Sequence, residues 1–327
     1  MNRFARAAVA ATSAAGLMLA AACGGTVADP GAEQTSANKS AAISVQTAKG
    51  TVKLDKPATR VVSLEWSYHE ELMALGVTPV GAAGLKSYDQ WVTAPGAQLP
   101  ESVTNVGTRQ EPSIEKIKSL NPDLIVSDVG RLSANYDQLS EIAPVIAFKP
   151  TKKPRLETMK QNFQKLAKAV GKKQKADQVL ANLESKVDNL QSSLEKAGKA
   201  GSTFALSQGY TSAGAPGIRM FTSSSMAGAL LEQAGLKNGW HGKPDDWGMT
   251  TAGVEALTKI DSDATFLYVA LKQDDPFTGV LADNPVWQQL PFVEMDRVRA
   301  LDPGTWLFGG PLSAMQLLDE TATAFGV

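Results

Sequence analysis

From Pro154 to about Lys199 the chain carries its most regular alternation of apolar and polar positions. Leu156, Met159, Phe163, Leu166 and Val170 recur every three or four residues, the spacing of one helix face. Pro154 and Gly171 punctuate this run as start and stop. Ala176, Leu180, Leu183, Val187, Leu190 and Leu194 continue at the same spacing, with Lys, Gln, Asn and Glu between them. The pattern predicts two consecutive helices with solvated outer faces. Similar units flank the pair. Before it stands Pro112-Ser-Ile-Glu115 and after it Ala252-Gly-Val-Glu255, each leading through a turn with an Asp (Asp123, Asp263) to an apolar stretch. This weak repeat predicts two similar lobes with helix between them, and a cleft between lobes is a natural ligand site.

Strand and helix patterns alternate through both lobes. In the first, residues 60–64, 80–83, 124–126 and 145–148 read as strands. Ser67 and Glu70 have capping-box spacing for a helix ending at Gly76, Ser113 can cap the next helix, and a short helix is expected near 137–142. In the second, strands are expected at 203–207, 218–221, 266–270 and 298–301. A helix capped by Ser225 and a closing helix over 312–324 accompany them. Such alternation indicates parallel pairing with right-handed crossovers. The fold class is therefore α/β: two Rossmann-like lobes with mostly parallel sheets, joined by a long rigid α-helix. The expected division is a signal peptide over 1–22, a flexible tether over 23–48, an N-terminal lobe over 49–153, a linking helix over 154–171 and a C-terminal lobe over 172–327.

The beginning of the chain reads as a targeting segment. Arg3 and Arg6 precede an Ala-rich apolar run over 7–22, too short for a comfortable membrane span. The run ends at Ala20-Ala-Ala-Cys23-Gly24, which resembles a bacterial lipoprotein signal, in which the Cys becomes the lipidated first residue. Leu19 lies one position further from the Cys than is usual, and a secretory signal with an incidental Cys is the alternative. Cys23 is the one cysteine, so no intramolecular disulfide or Cys metal site is available. Residues 24–48, rich in Gly, Ala, Ser, Thr and Gln, lack the apolar surface to fold alone. Lys and Arg number 32 against 33 Asp and Glu, with no long basic run. That balance argues against nucleic acid and acidic membrane surfaces as partners.

Motifs for nucleophilic or phosphate chemistry, Gly-x-Ser-x-Gly, a Walker loop or Gly-x-Gly-x-x-Gly, do not occur. His69 falls in an expected helix and His241 in a loop, neither with a ligand partner at metal spacing. Aromatic and arginine side chains instead gather where strands feed their loops. They are Trp66, Tyr88, Trp91, Arg109, Arg131, Trp240, Trp247, Trp306 and Phe308. Any one Trp could simply pack under its loop; as a set they suggest a shared cleft at the strand ends. Trp287 sits at helical spacing and is assigned to packing. Arg219, on an expected strand, is either a further cleft cation or a surface charge.

Several tracts carry a more specific resemblance. Leu64-Glu-Trp-Ser, Tyr88-Asp-Gln-Trp91-Val, Val106-Gly-Thr-Arg109-Gln-Glu-Pro-Ser, Trp247-Gly-Met-Thr, Pro285-Val-Trp-Gln-Gln-Leu-Pro-Phe-Val and Trp306-Leu-Phe-Gly resemble the ferric-hydroxamate-siderophore binding proteins of bacterial ABC importers. The resemblance covers essentially everything from Arg60 onward. It implies two α/β lobes, a shallow cleft, and a lipid-anchored monomeric receptor outside the cell membrane that hands its ligand to a permease dimer. It places a hydroxamate-contacting arginine at Arg109 and cleft aromatics at Trp66, Trp91, Trp240, Trp247 and Trp306. Arg131 and Phe308 stand where the relative has tyrosines. Around Gly107 to Ser113, and at Arg131, ferric-citrate-binding relatives look closer. An extra arginine there is expected to favour a more anionic ligand, because a guanidinium fork matches carboxylate oxygens.

The resemblance also places one permease-docking glutamate on each lobe, at Glu115 and Glu255. Compensation of a helix dipole explains either residue equally well. Ferric iron enters only inside the bound siderophore, whose oxygens already fill its coordination sphere, so no cofactor or metal site of the protein's own is expected. Hydroxamate ligands are the first expectation, citrate-type or mixed ligands the second. A cobalamin or haem receptor, or a siderophore hydrolase using cleft carboxylates, remain alternatives.

Overall fold

The structure is a computed structural model and describes residues 42–212 and 214–327. The signal segment and Cys23 lie outside the described residues. The expected tether does not run to residue 48. Strand β1 (Ile43–Thr47) pairs antiparallel with β2 (Gly50–Leu54). Gly50, at φ +112°, closes the turn, and the Ala48 N–H donates to the Ala147 carbonyl. Val45 is the reason for the difference: it is fully buried against the first lobe's core, which a reading of the segment in isolation could not supply.

The first lobe holds a five-stranded sheet of β3 (Val61–Ser63), β4 (Gly81–Ala82), β5 (Thr104–Asn105), β6 (Leu124–Asp128) and β7 (Val145–Phe148). Its order is β5-β4-β3-β6-β7 and every pairing is parallel. Helices α1 (Trp66–Ala74), α2 (Leu85–Trp91), α3 (Ile114–Ser119), α4 (Val129–Leu132) and α5 (Tyr136–Ser140) lie between or beside the strands. Side chains alternate across the sheet as the period of two requires. Val61, Leu124, Val126 and Ile146 face one core, while Val62, Ile125, Val145 and Ala147 face the other. Strand order reverses between β3 and β6, so the carboxyl ends of these two strands form the switch point where such sheets bind ligands. Tyr88 and Trp91, expected in a long loop, belong to α2.

The amphipathic pair is confirmed as α6 (Arg155–Ala169) and α7 (Lys173–Lys196). Gly171, in the left-handed region at φ +68°, turns the chain between them. Both helices touch both cores. Leu156 and Met159 pack in the second lobe and Phe163, Leu166 and Ala167 in the first. Helix α7 starts on the first lobe with Ala176 and Val179 and ends on the second with Leu183, Val187, Leu190 and Leu194.

The second lobe contains β8 (Thr203–Ser212), β9 (Ala215–Phe221), α8 (Met226–Gln233), β10 (Lys237–Asn238) and β11 (Met249–Ala252). A 3-10 turn (Val254–Lys259), β12 (Thr265–Val269), α9 (Pro285–Gln288), α10 (Pro291–Glu294), β13 (Val298–Ala300) and α11 (Pro311–Phe325) complete it. The sheet runs β11-β9-β8-β12-β13, with β10 beside β8. It is mixed: β12 pairs parallel with β8 and β13, but β9 pairs antiparallel with β8 and β11. The antiparallel part arises because β8 runs ten residues and doubles back through Gly214, at φ +79°.

The expected capping box at Ser67 and Glu70 does not form. The N-cap of α1 is Glu65, whose side chain accepts from the Trp66 backbone N–H. Ser67 Oγ donates to the Phe308 carbonyl at 2.8 Å. The buried Glu70 carboxylate crosses to the second lobe, where the Gly310 N–H and the Ser313 N–H and hydroxyl donate to it at the start of α11. The N–H groups of a buried helix start lack intrahelical partners and compete for the carboxylate more strongly than a local cap does.

Burial raises the Glu70 carboxyl from 4.5 to about 7, against those hydrogen bonds. A folded pKa above the unfolded one means that the folded state holds the proton more tightly. The group therefore costs nothing below about pH 4.5, and its cost grows to about 3 kcal/mol as pH rises through 7. Glu70→Gln should accordingly gain stability relative to the parent between pH 5 and 8, read as a difference in Tm at each pH. A constant difference would contradict the assignment.

Candidate functional site

A cleft opens at the switch point of the first sheet and is roofed by the second lobe. Three loops of the first lobe supply its charged floor. Glu65 follows β3, Arg109 follows β5, and Arg131 lies in α4 directly after β6. Arg109 Nη1 donates to Glu65 Oε1 at 2.7 Å, and Arg131 Nε donates to Glu65 Oε2 at 2.7 Å. Asp128 caps α4 by accepting from the N–H groups of Gly130 and Arg131 at 2.7 and 3.0 Å.

The environment sets the ionisation of these groups. Burial pushes the Glu65 carboxyl upward, but the two guanidiniums outweigh it and hold the pKa below the ordinary value. Asp128 is raised, by burial first and by the nearby Glu65 charge second. Burial pulls Arg109 down and Glu65 opposes that shift. An arginine remains charged regardless.

Aromatic rings make the walls. The Arg109 guanidinium lies 3.5 Å from the Trp66 ring centroid, close enough for a cation–π contact. Trp66 meets Trp306 edge-on at 5.1 Å, Trp306 meets Phe308 at 5.1 Å, and Phe308 meets Trp247 at 5.7 Å. Trp247 is 36% exposed and faces the opening. The chain of rings therefore passes from the first lobe to the second. On the second lobe's side Arg219 lines the cleft, donating to Gln208 Oε1 at 2.8 Å with its guanidinium 4.6 Å from the Tyr210 ring.

Of the residues expected at the site, Arg109, Arg131, Arg219, Trp247, Trp306 and Phe308 line this one cleft. Trp66 forms its base beneath Arg109, and Trp91 backs the wall behind Trp306 at 6.1 Å. Trp240 does not join them. It is buried in the second lobe's core with Phe266, Tyr268 and Trp287. Its position beside a loop and the family resemblance both placed it on the rim. In the structure its backbone N–H is held by Asn238 and its ring turns inward. Trp287 packs there too, as expected.

Glu65, Asp128, Tyr68 and Met249 also line the cleft and were not anticipated. The signal for Glu65 was its place directly after a strand and before Trp66. His69 is buried in α1 between Ser63 Oγ (2.7 Å) and the Ala83 carbonyl (2.9 Å), and burial lowers its pKa to about 4. His241 is exposed beside Asp261. No group of three or more His, Cys, Asp or Glu suited to a metal ion occurs among the described residues.

Glu115 is exposed in the first turn of α3, whose N-cap is Ser113 as expected. Glu255 is exposed in the first turn of the 3-10 segment, not of an α-helix. Neither lines the cleft. Among the described residues no helix is long and apolar enough to cross a membrane.

Residues 61–305 match the periplasmic binding protein family, and the chain belongs to that family. It is 30% identical over 258 residues to the Fe(3+)-citrate-binding protein YfmC of Bacillus subtilis, covering 79% of this chain and 78% of the relative. It is 28% identical over 269 residues to the iron(3+)-hydroxamate-binding protein FhuD of Escherichia coli, covering 82% and 87%. Among solved structures, the Fe3+–Desferal-bound siderophore binding protein FhuD from Vibrio cholerae aligns with a TM-score of 0.71 at 29% identity. That alignment covers 81% of this chain and 97% of the other.

Proposed function

We propose that this chain is an extracytoplasmic receptor that binds a ferric siderophore in the inter-lobe cleft and delivers it to an ABC permease. The observation that carries this reading is the junction of two arginines of one lobe with a wall of rings reaching into the other. A ferric siderophore presents oxygen atoms around the iron and organic arms beyond them. Guanidinium forks donate to the oxygens and aromatic faces bury the arms. The similar proteins, a ferric-citrate-binding and a ferric-hydroxamate-binding protein, take ligands of the same chemistry. The iron is cargo within the complex, and the protein itself needs no cofactor.

Hydroxamate complexes are the favoured ligands. The anionic preference expected from Arg131 is reduced, because its guanidinium shares the Glu65 carboxylate with Arg109 at 2.7 Å. Titrating the intrinsic tryptophan fluorescence with an iron-loaded trihydroxamate, beside the metal-free ligand, tests the reading. Saturable quenching by the iron complex supports it, and no response to any ferric siderophore would oppose it.

The receptor is proposed to act as a monomer, held at the outer face of the cell membrane by lipid on Cys23. Each buried methylene of an acyl chain contributes about 0.8 kcal/mol to such anchoring. Cys23→Ser should therefore move the protein from the membrane fraction to the medium. Unchanged fractionation would exclude the lipid anchor.

A further inference from the structure

Glu65 is conspicuous in a cleft built to meet oxygen-rich ligands. A carboxylate repels the oxygens that the arginines attract, and yet it stands at the centre of the charged floor. It is 7% exposed, and each of its oxygens takes one guanidinium. Oε1 also accepts from the Trp66 backbone N–H at 2.8 Å, which fixes the side chain to the start of α1. Asp128 brings a second negative charge to the same wall, already committed to capping α4. Three arginines, Arg109, Arg131 and Arg219, thus line the cleft with two carboxylates, Arg109 and Arg131 beside Glu65 on the floor and Arg219 on the second lobe's side. One net positive charge remains among these five groups.

We propose that Glu65 tunes the charge preference of the cleft: by pairing with Arg109 and Arg131 at once, it lowers the attraction for polyanionic ferric carboxylates relative to ferric complexes of little or no net charge. The inference rests on the receptor function proposed above and narrows its ligand class. Two physical effects act together. The paired guanidiniums keep unused N–H donors, because Glu65 engages only Nη1 of Arg109 and Nε of Arg131. They can still bind oxygens, from fixed positions and at reduced rotamer cost. The field they project is meanwhile weakened by the buried opposite charge. In a partly buried site a unit charge several ångströms away is weakly screened, so this loss acts strongly on an anionic ligand and little on a neutral one. Glu65 is in this sense a positioning residue that also supplies a repulsive element against the wrong ligand.

The test uses the full chain, its Glu65→Gln and Glu65→Asp variants, and two probes: ferrichrome, a neutral ferric trihydroxamate, and ferric dicitrate, an anionic complex. Dissociation constants are read from tryptophan quenching at low and high salt. Parent protein should prefer ferrichrome. Glu65→Gln keeps the hydrogen-bonding shape without the charge and should shift the ratio of the two constants roughly tenfold or more toward ferric dicitrate. That shift should shrink at high salt, and Glu65→Asp should restore the parent ranking. Equal changes for both probes would overturn the proposal, leaving Glu65 as a brace alone. Should Glu65→Gln fail to fold, Arg131→Gln reads the same field from the other side. It should weaken ferric dicitrate more than ferrichrome, and equal losses overturn the proposal. A parent protein that binds neither probe would overturn the receptor reading itself.

Discussion

Arg109→Ala is expected to weaken binding of a ferric trihydroxamate by roughly 1.5–3 kcal/mol, the range for hydrogen bonds to charged groups, or about 10- to 150-fold. The structure explains why this residue should dominate its neighbours. Its guanidinium lies on the Trp66 face at 3.5 Å and is pinned by Glu65 at 2.7 Å. Its orientation is therefore set before a ligand arrives. Arg131 shares the carboxylate but has a more exposed side chain, 29% against 16%, and it lacks the aromatic face that supports Arg109. Arg109→Lys should recover little, since an ammonium carries the charge without the planar fork. The variant is expected to fold, because Glu65 retains Arg131 and the Trp66 N–H as partners, and circular dichroism checks this. A folded Arg109→Ala protein with parental affinity would remove this arginine from the binding site.

The second large effect is expected in transport rather than in binding. Glu115→Ala with Glu255→Ala should abolish most uptake while siderophore affinity stays near that of the parent. Both glutamates are exposed, sit in first turns on separate lobes, and lie outside the cleft. Helix-dipole compensation could account for either, but it is worth only about 0.3–1 kcal/mol at an exposed terminus. Glu115 is moreover supplementary at its helix, because Ser113 already caps it. Matched surface carboxylates on two lobes suit a permease dimer presenting a cation to each. Single changes should lower uptake partially, and Glu→Arg reversals should be worse than Glu→Ala through like-charge repulsion. Parental uptake by the double variant, with binding intact, would reduce both residues to helix termini.

The elements legible in the sequence were those whose pattern is local and long. The apolar stripe from Leu156 to Leu194 specified α6 and α7 to within a few residues, and Ser113 and Ser225 capped the helices expected of them. What escaped depended on partners far along the chain. Glu65 gains its role from arginines 44 and 66 residues away, and no spacing rule connects them. Ser67 and Glu70 have capping-box spacing, but Glu70 is drawn across 240 residues to the start of α11. The β8–β9 hairpin hid because Gly209, Gly214, Pro216 and Gly217 read as loop although the strands run through or up to them, and β1 because only Val45 of its five residues is deeply buried. Arg109, Arg131 and most of the rings that line the cleft stand just past strand ends, a position visible in the sequence; Trp240 turns into the core instead, and position does not say which way a ring turns.

Whether the cleft carries an intact ferric siderophore is decided by native mass spectrometry of the full chain incubated with ferrichrome and with its metal-free form. The expected result is a one-to-one complex with the iron-loaded ligand, whose released ligand has unchanged mass, and which is lost or sharply reduced in Arg109→Ala. Cleaved ligand, or equal retention of the complex by Arg109→Ala, would contradict it.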